Sequence, residues 1–246
     1  MNKKDVICII QARISSSRLP GKILLPGYDK PLLLHTINRL KKSKLISKIV
    51  VATTNLKIDD AIVNLCKKNN VLFFRGHPTN VLNRYYKCAI NYKAKNILRI
   101  TSDCPLIDYK LVDKVIKKFF SSEVDYVSNM HPSTFPDGFA AEVFTIKSLR
   151  KAFFNAKKYF DKEHVTPFIW KKSNKFKIDN YTETPIKNYY KKYRFALDYI
   201  EDFYVIWNIY NELYPKKKFF DLKDILRYVK SKNKILLNRK YLKIKK

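Results

Sequence analysis

A chain of 246 residues with 46% hydrophobic content can bury a sizeable core and is read as one domain with at most a small appendage. No apolar run approaches the ~20 residues that cross a bilayer, and the start runs into a strand with no signal-peptide pattern, so neither stable membrane insertion nor export is expected. Lys and Arg outnumber Asp and Glu by 51 to 21, a formal charge of +30; the lysines are spread among Asn, Ile, Tyr and Phe, which fits compositional bias better than a nucleic-acid surface.

The apolar run Val6-Ile7-Cys8-Ile9-Ile10 reads as a buried first strand. Residues 31–42 read as a helix with Pro31 at its start and Leu33, Ile37 and Leu40 on one face. Residues 48–52 form a second buried strand, followed by a helix whose core face is Ile58, Ala61, Ile62, Leu65 and Cys66. A third strand spans 71–74, a helix 81–92, a fourth strand 96–101, a helix 111–120 and a short strand from Asp125. This alternation predicts an α/β fold: a three-layer sandwich around a mostly parallel sheet. The rhythm breaks after Ser128. A loop leads to a short strand at 141–144, helices at 148–160 and 164–172, a late strand at 193–197, and closing helices at 202–214 and 222–230. Beyond them lies a Lys-rich tail.

The loop from Gln11 to Lys22 packs Ser15, Ser16, Ser17, Arg13, Arg18 and Lys22 together just after a buried strand. Arg forks, a Lys charge and loop N–H groups together suit a polyphosphate, and ligands of α/β sheets bind at the carboxyl ends of strands. A solvated basic loop is the plainer alternative. Asp103 and Asp198 each follow a predicted strand. Either alone is as well read as a helix cap; as a pair beside a polyphosphate loop they favour a Mg²⁺ site. Arg84 is read as a surface helix residue and His35 as packing. Cys8, Cys66, Cys88 and Cys104 stand singly, as reduced thiols of a cytoplasmic protein do. No nucleophilic triad or zinc spacing emerges, which suits a reaction carried by positioning and charge neutralisation.

Residues Ile9 to Lys22 match the pattern I-I-Q-A-R-x-x-S-x-R-L-P-G-K at every fixed position. They resemble the cytidylyltransferases that activate sugars as CMP derivatives, and among these the SpsF-like spore coat polysaccharide family. Arg99 to Asp108 is similar to that family's R-I-T-G-D-C-P-L-I-D, with Ser102 for its glycine. Residues 197–202 resemble V-D-T-P-E-D, with Ile200 for the proline, and Phe135 to Phe144 resembles P-D-G-L-D-V-E-V-F, with Ala140 for an Asp. The family usually carries Asp where Asn80 and Asn83 stand.

The resemblance implies a GT-A-like sheet with a small inserted acceptor-binding and dimerisation subdomain, here 128–190. It implies CTP as nucleotide, a sugar-type acceptor (an acidic sugar or sugar phosphate), Mg²⁺ on Asp103 and Asp198, and a homodimer. Lys22, Arg13 and Arg18 would serve the leaving pyrophosphate. Ala12, Ser16, Ser17, Thr53, Thr54 and Arg75 would face the nucleotide, and Asp137, Glu142 and His164 the acceptor. The rival readings are a GT-A-type glycosyltransferase using a finished nucleotide-sugar and a basic nucleic-acid-binding protein. A two-arginine loop for a leaving pyrophosphate is superfluous to the first, and no nucleic-acid module supports the second.

Overall fold

The apolar run at residues 6–10 becomes the central strand β1 (Val6–Gln11), buried along its length. The computed structural model describes residues 6–171, 174–183, 188–232 and 235–243. Strands β2 (Ile46–Thr54) and β4 (Asn96–Thr101) flank β1, both parallel to it, and β3 (Leu72–Gly76) continues the sheet beyond β2. Helices α1 (Leu32–Leu40), α2 (Asp60–Lys68) and α3 (Val81–Asn91) make the crossovers. After β4 comes α4 (Tyr109–Ser122), then β5 (Tyr126–Ser128). Strand β6 (Glu142–Thr145) inserts between β4 and β5, antiparallel to both, and β7 (Ile178–Asn180) pairs parallel to β5. The sheet order is β3-β2-β1-β4-β6-β5-β7, so the expected α/β sandwich is what forms.

Alternation along β1 builds both faces of the core. Cys8 and Ile10 pack with α1, α4, α8 (Ile200–Leu213) and α9 (Leu222–Ser231), while Ile7 and Ile9 pack with α3, α5 (Ile146–Asn155) and α7 (Pro167–Trp170). The stretch after Ser128 is therefore tied into both layers, Phe135, Phe139 and Val143 into the first and Leu149, Phe168 and Ile169 into the second. Phe135 and Phe168 are buried, Phe153 stacks on Tyr86 of α3 with centroids 4.3 Å apart, and Trp170 stacks on His131. Phe154, Tyr159 and Phe160 stay exposed.

Two expectations are corrected. The helix expected over 148–160 is two, α5 and α6 (Tyr159–His164), because residues 157–160 present no buried face along which α5 could continue. The strand expected over 193–197 is in no sheet among the described residues; it pairs there through the isolated bridge Asp137–Arg194. It is held by loops, with Phe195 N donating to the Asp137 carbonyl and Leu197 N to that of Asp103. Gly138 permits this approach: its φ is +99°, and a Cβ there would lie 2.4 Å from the Phe195 carbonyl carbon. The periodicity missed the three-residue strand β7 and the 3₁₀ segment Leu237–Lys243. Lys172, at the end of an expected helix, lies outside the described residues.

Candidate active site

Crossovers leave β1 toward β2 on one side and later return to β4 on the other, which makes the carboxyl ends of β1 and β4 a topological switch point. A cleft of about 360 Å³ opens there. It is lined by Ala12, Arg13, Ser16, Ser17, Arg18 and Lys22 of the loop after β1, by Thr101 to Asp103 after β4, and by Arg84, Arg99, Glu163, His164 and Asp198.

The basic loop is folded by its own backbone and one buried carboxylate. Ser16 N and Gly21 N both donate to the Ile14 carbonyl, and Ile14 N donates to Asp59 Oδ1 at 2.7 Å. Gly21 at φ +71° turns the chain into the 3₁₀ turn Lys22–Leu24, which sends Lys22 back beneath the loop. Lys22 is only 8% exposed. Its Nζ meets Asp198 Oδ1 at 2.9 Å, Asp103 Oδ2 at 3.7 Å and the Leu197 carbonyl.

Asp198 is the most heavily bonded acid of the site. Arg18 reaches its Oδ1 and Arg194 its Oδ2, each at 2.6 Å. Arg194 also bonds Asp137 at 2.6 Å and Asp202 at 3.1 Å. Burial acts to raise the Asp198 carboxyl, but Lys22, Arg18 and Arg194 outweigh it and hold the group well below the ordinary carboxylate range. Burial likewise acts against the Arg194 charge and is overcome by its three aspartates.

Two further arginines, Arg84 and Arg99, line the cleft. Arg84, read from the sequence as a surface residue, is 1% exposed. Its Nη1 donates to the His77 and Pro78 carbonyls, its Nε has no hydrogen-bond partner, and burial, with help from nearby Arg13, pushes its pKa down to about 10. Arg99 pairs with buried Glu142 at 2.5 Å, a contact set by the β4–β6 register, and its Nε is also without a partner. His164 is pushed below the usual imidazole range by burial, so it is neutral near pH 7. It opens a γ-turn: Thr166 N donates to the His164 carbonyl across Val165, which takes φ +71°. A β-branched residue there costs on the order of 1–3 kcal/mol, strain of the kind that collects at functional sites.

Of the residues singled out in the sequence, Ala12, Arg13, Ser16, Ser17, Arg18, Lys22, Asp103, His164 and Asp198 come together in the cleft lining. Thr53, Thr54, Arg75, Asp137 and Glu142 stand behind it. Thr54 donates to Asp59 and so supports the loop through Ile14, while Thr53 is buried below it. Arg75 is spent on Asp60 and the carbonyls of Thr54 and Leu56. The sequence reading missed Arg194, Asp202 and Arg99. Arg99 and Asp202 sat in quoted motifs; Arg194 had only its closeness to Asp198 as a signal.

A cation-lined cleft at the switch point of a mostly parallel sheet, with two carboxylates converging on one lysine, defines a nucleotide-handling α/β enzyme fold. The comparisons give the family. Residues 7–239 match the family model described as cytidylyltransferase, and the chain belongs to that family. An uncharacterised protein of Methanocaldococcus jannaschii is 41% identical over 222 residues, covering 89% of this chain and 86% of the relative. The spore coat polysaccharide biosynthesis protein SpsF of Bacillus subtilis is 31% identical over 213 residues, covering 85% and 87%. A solved cytidylyltransferase from Leptospira borgpetersenii superposes with a TM-score of 0.89 at 34% identity, over 96% of this chain and 98% of that one.

Proposed function

We propose that the protein transfers CMP from CTP to a sugar-type acceptor carrying an acidic group, in the making of a cell-surface or spore-coat polysaccharide. The observation that carries this reading is the distribution of charge in the cleft. Arg13 and Arg18 stand on the β1 loop, and Arg84 and Arg99 also line the cleft, each with a buried Nε that has no hydrogen-bond partner, so the cleft offers cationic donors beyond those on the loop. An acceptor oxygen attacks the α-phosphorus in line, the bond to the β-phosphate breaks, and pyrophosphate leaves toward Arg13, Arg18 and Lys22 while the acceptor proton passes to solvent. Fixed cations at the leaving group act mainly on the transition state. His164, neutral and lining the cleft, is placed to bond an acceptor hydroxyl.

The donor set fits Mg²⁺ in part. Asp103 is a hard oxygen ligand with its side chain 31% exposed and a single distant cation at 3.7 Å. Asp198 Oδ1 faces the same lysine but is shared with Arg18, so it fits once Arg18 turns to a phosphate. Bound there, the ion would neutralise phosphate charge that the cations leave unmatched.

The exposed Phe154, Tyr159 and Phe160 on adjoining helices support a homodimer, since aromatic residues are favoured in interfaces. Light scattering of wild type and Phe154→Ser at moderate salt checks this: dimer and monomer are expected, and a monomeric wild type removes the idea.

The test of function is pyrophosphate release over four nucleoside triphosphates and a panel of neutral, carboxylated and phosphorylated sugars. Release from CTP with an acidic sugar alone is expected. Equal turnover of all four nucleotides, or release only with neutral sugars, would overturn the reading.

A further inference from the structure

The segment Leu237–Lys243 folds back onto α8. Asn238 is 1% exposed, far drier than a side-chain amide usually is. Its Nδ2 donates to Asp202 Oδ1 at 2.7 Å and to the Arg194 carbonyl at 3.0 Å. Asp202, itself fully buried, accepts from Arg194 and from the backbone N–H groups of Asp198 and Tyr199. Three residues after Asn238, the Tyr241 ring lies flat on that of Tyr199, with centroids 3.9 Å apart and planes 4° from parallel. Lys240 and the Tyr241 hydroxyl both bond Glu201. The Arg18 guanidinium sits over the same Tyr199 ring at 5.4 Å while it bonds Asp198.

We propose that Leu237–Lys243 is a strap that sets the geometry of the site. Asn238 orients Asp198 by way of Asp202 and Arg194, and Tyr241 orients Arg18 by way of Tyr199. Neither Asn238 nor Tyr241 lines the cleft, so both are positioning residues, and the strap serves the phosphate end in the reaction proposed above. An arginine on a solvent-facing loop loses rotamer freedom when it grips an anion, and a ring platform that orders it beforehand removes that cost. A buried amide donating to Asp202 shares that carboxylate with the backbone that presents Asp198, so its loss tilts the acid itself. Small misplacements of this kind are felt in turnover more than in folding.

The experiment uses the full chain and inorganic pyrophosphate as probe. Calorimetric binding, melting temperature and steady-state kinetics are measured for wild type, Tyr241→Phe, Tyr241→Ala and Asn238→Ala. Tyr241→Phe keeps the stack and should bind pyrophosphate as wild type does. Tyr241→Ala should bind about tenfold more weakly, and Asn238→Ala should lose about tenfold in kcat with the acceptor KM unchanged. If Asn238→Ala does not fold, the Tyr241 pair decides. Wild-type binding and turnover in folded Tyr241→Ala and Asn238→Ala would overturn the strap, as would equal losses in Tyr241→Phe and Tyr241→Ala. A wild type that binds pyrophosphate yet never releases it from CTP would remove the proposed function and leave the calorimetric comparison standing.

Discussion

Asp103 and Asp198 meet one lysine, and they are held in opposite ways. Asp103 follows β4 directly, in a turn closed locally by Cys104 N on the Thr101 carbonyl, and its carboxylate is open to solvent. Asp198 ends an extended segment with no ladder of its own and is fixed by Lys22, Arg18 and Arg194, the last braced by Asp137 and Asp202. One side of the site is made by backbone and the other by charge. A backbone-built acid stays free to take a ligand, whereas a charge-built acid must exchange one of its cations to do so.

The largest break in this contrast is Arg194→Met. It strips the guanidinium from fully buried Asp202, and unpairing a buried charge costs about 3–5 kcal/mol. Thermal or urea unfolding should show that loss, while Asp103→Asn should stay within about 0.5 kcal/mol of wild type. Similar stability for both variants would erase the distinction.

Lys22→Met removes the charge both acids share and should lower kcat by about 10²–10³-fold, the cost typical of a lost transition-state donor. Asp198 keeps Arg18 and Arg194, so the fold should persist by circular dichroism. Near-normal kcat in a folded variant would relieve Lys22 of its role.

Arg84→Met tests a cation of the cleft away from the loop. It removes a buried charge that burial disfavours, so stability should hold or rise, while KM for an acidic acceptor should climb about tenfold, near 1.4 kcal/mol. An unchanged KM would move the acceptor anion elsewhere.

The smallest effect concerns pH. The folded-state pKa of Asp198 lies below its reference of 3.8, so its contribution is complete above that value and is lost as pH falls below it. Other depressed carboxylates share the trend, so the informative quantity is the difference between wild type and Asp198→Asn. That gap in melting temperature should narrow as pH drops below about 4; a gap that widens would reverse the sign.

Much of this was legible in the chain because it is local. A buried strand followed by Arg13, Arg18, Gly21 and Lys22 announces its position in any α/β sheet, and Asp103 follows β4 in the same way. The rest depends on contacts between distant residues. Nothing near Arg84 marks it as buried, since helical spacing alone does not reveal which neighbour covers a face. Nothing beside Arg194 in the chain marks it, and although Asp202 closes the stretch that resembles V-D-T-P-E-D, only the fold shows three aspartates turned toward one guanidinium. The strand expected at 193–197 failed for the same reason: its apolar residues are buried by loops, not by a neighbouring strand.

The pairing of Lys22 with Asp198 spans 176 residues, which gives the protein's manufacture a definite order. Synthesis from the N-terminus at about 5–20 residues per second leaves Lys22 roughly 9–35 s ahead of its partner. Over the later part of that interval Asp103, already made, is the acid at hand for Lys22. The parallel strands can assemble in the meantime, but Lys22 acquires its second carboxylate only once Asp198 is made.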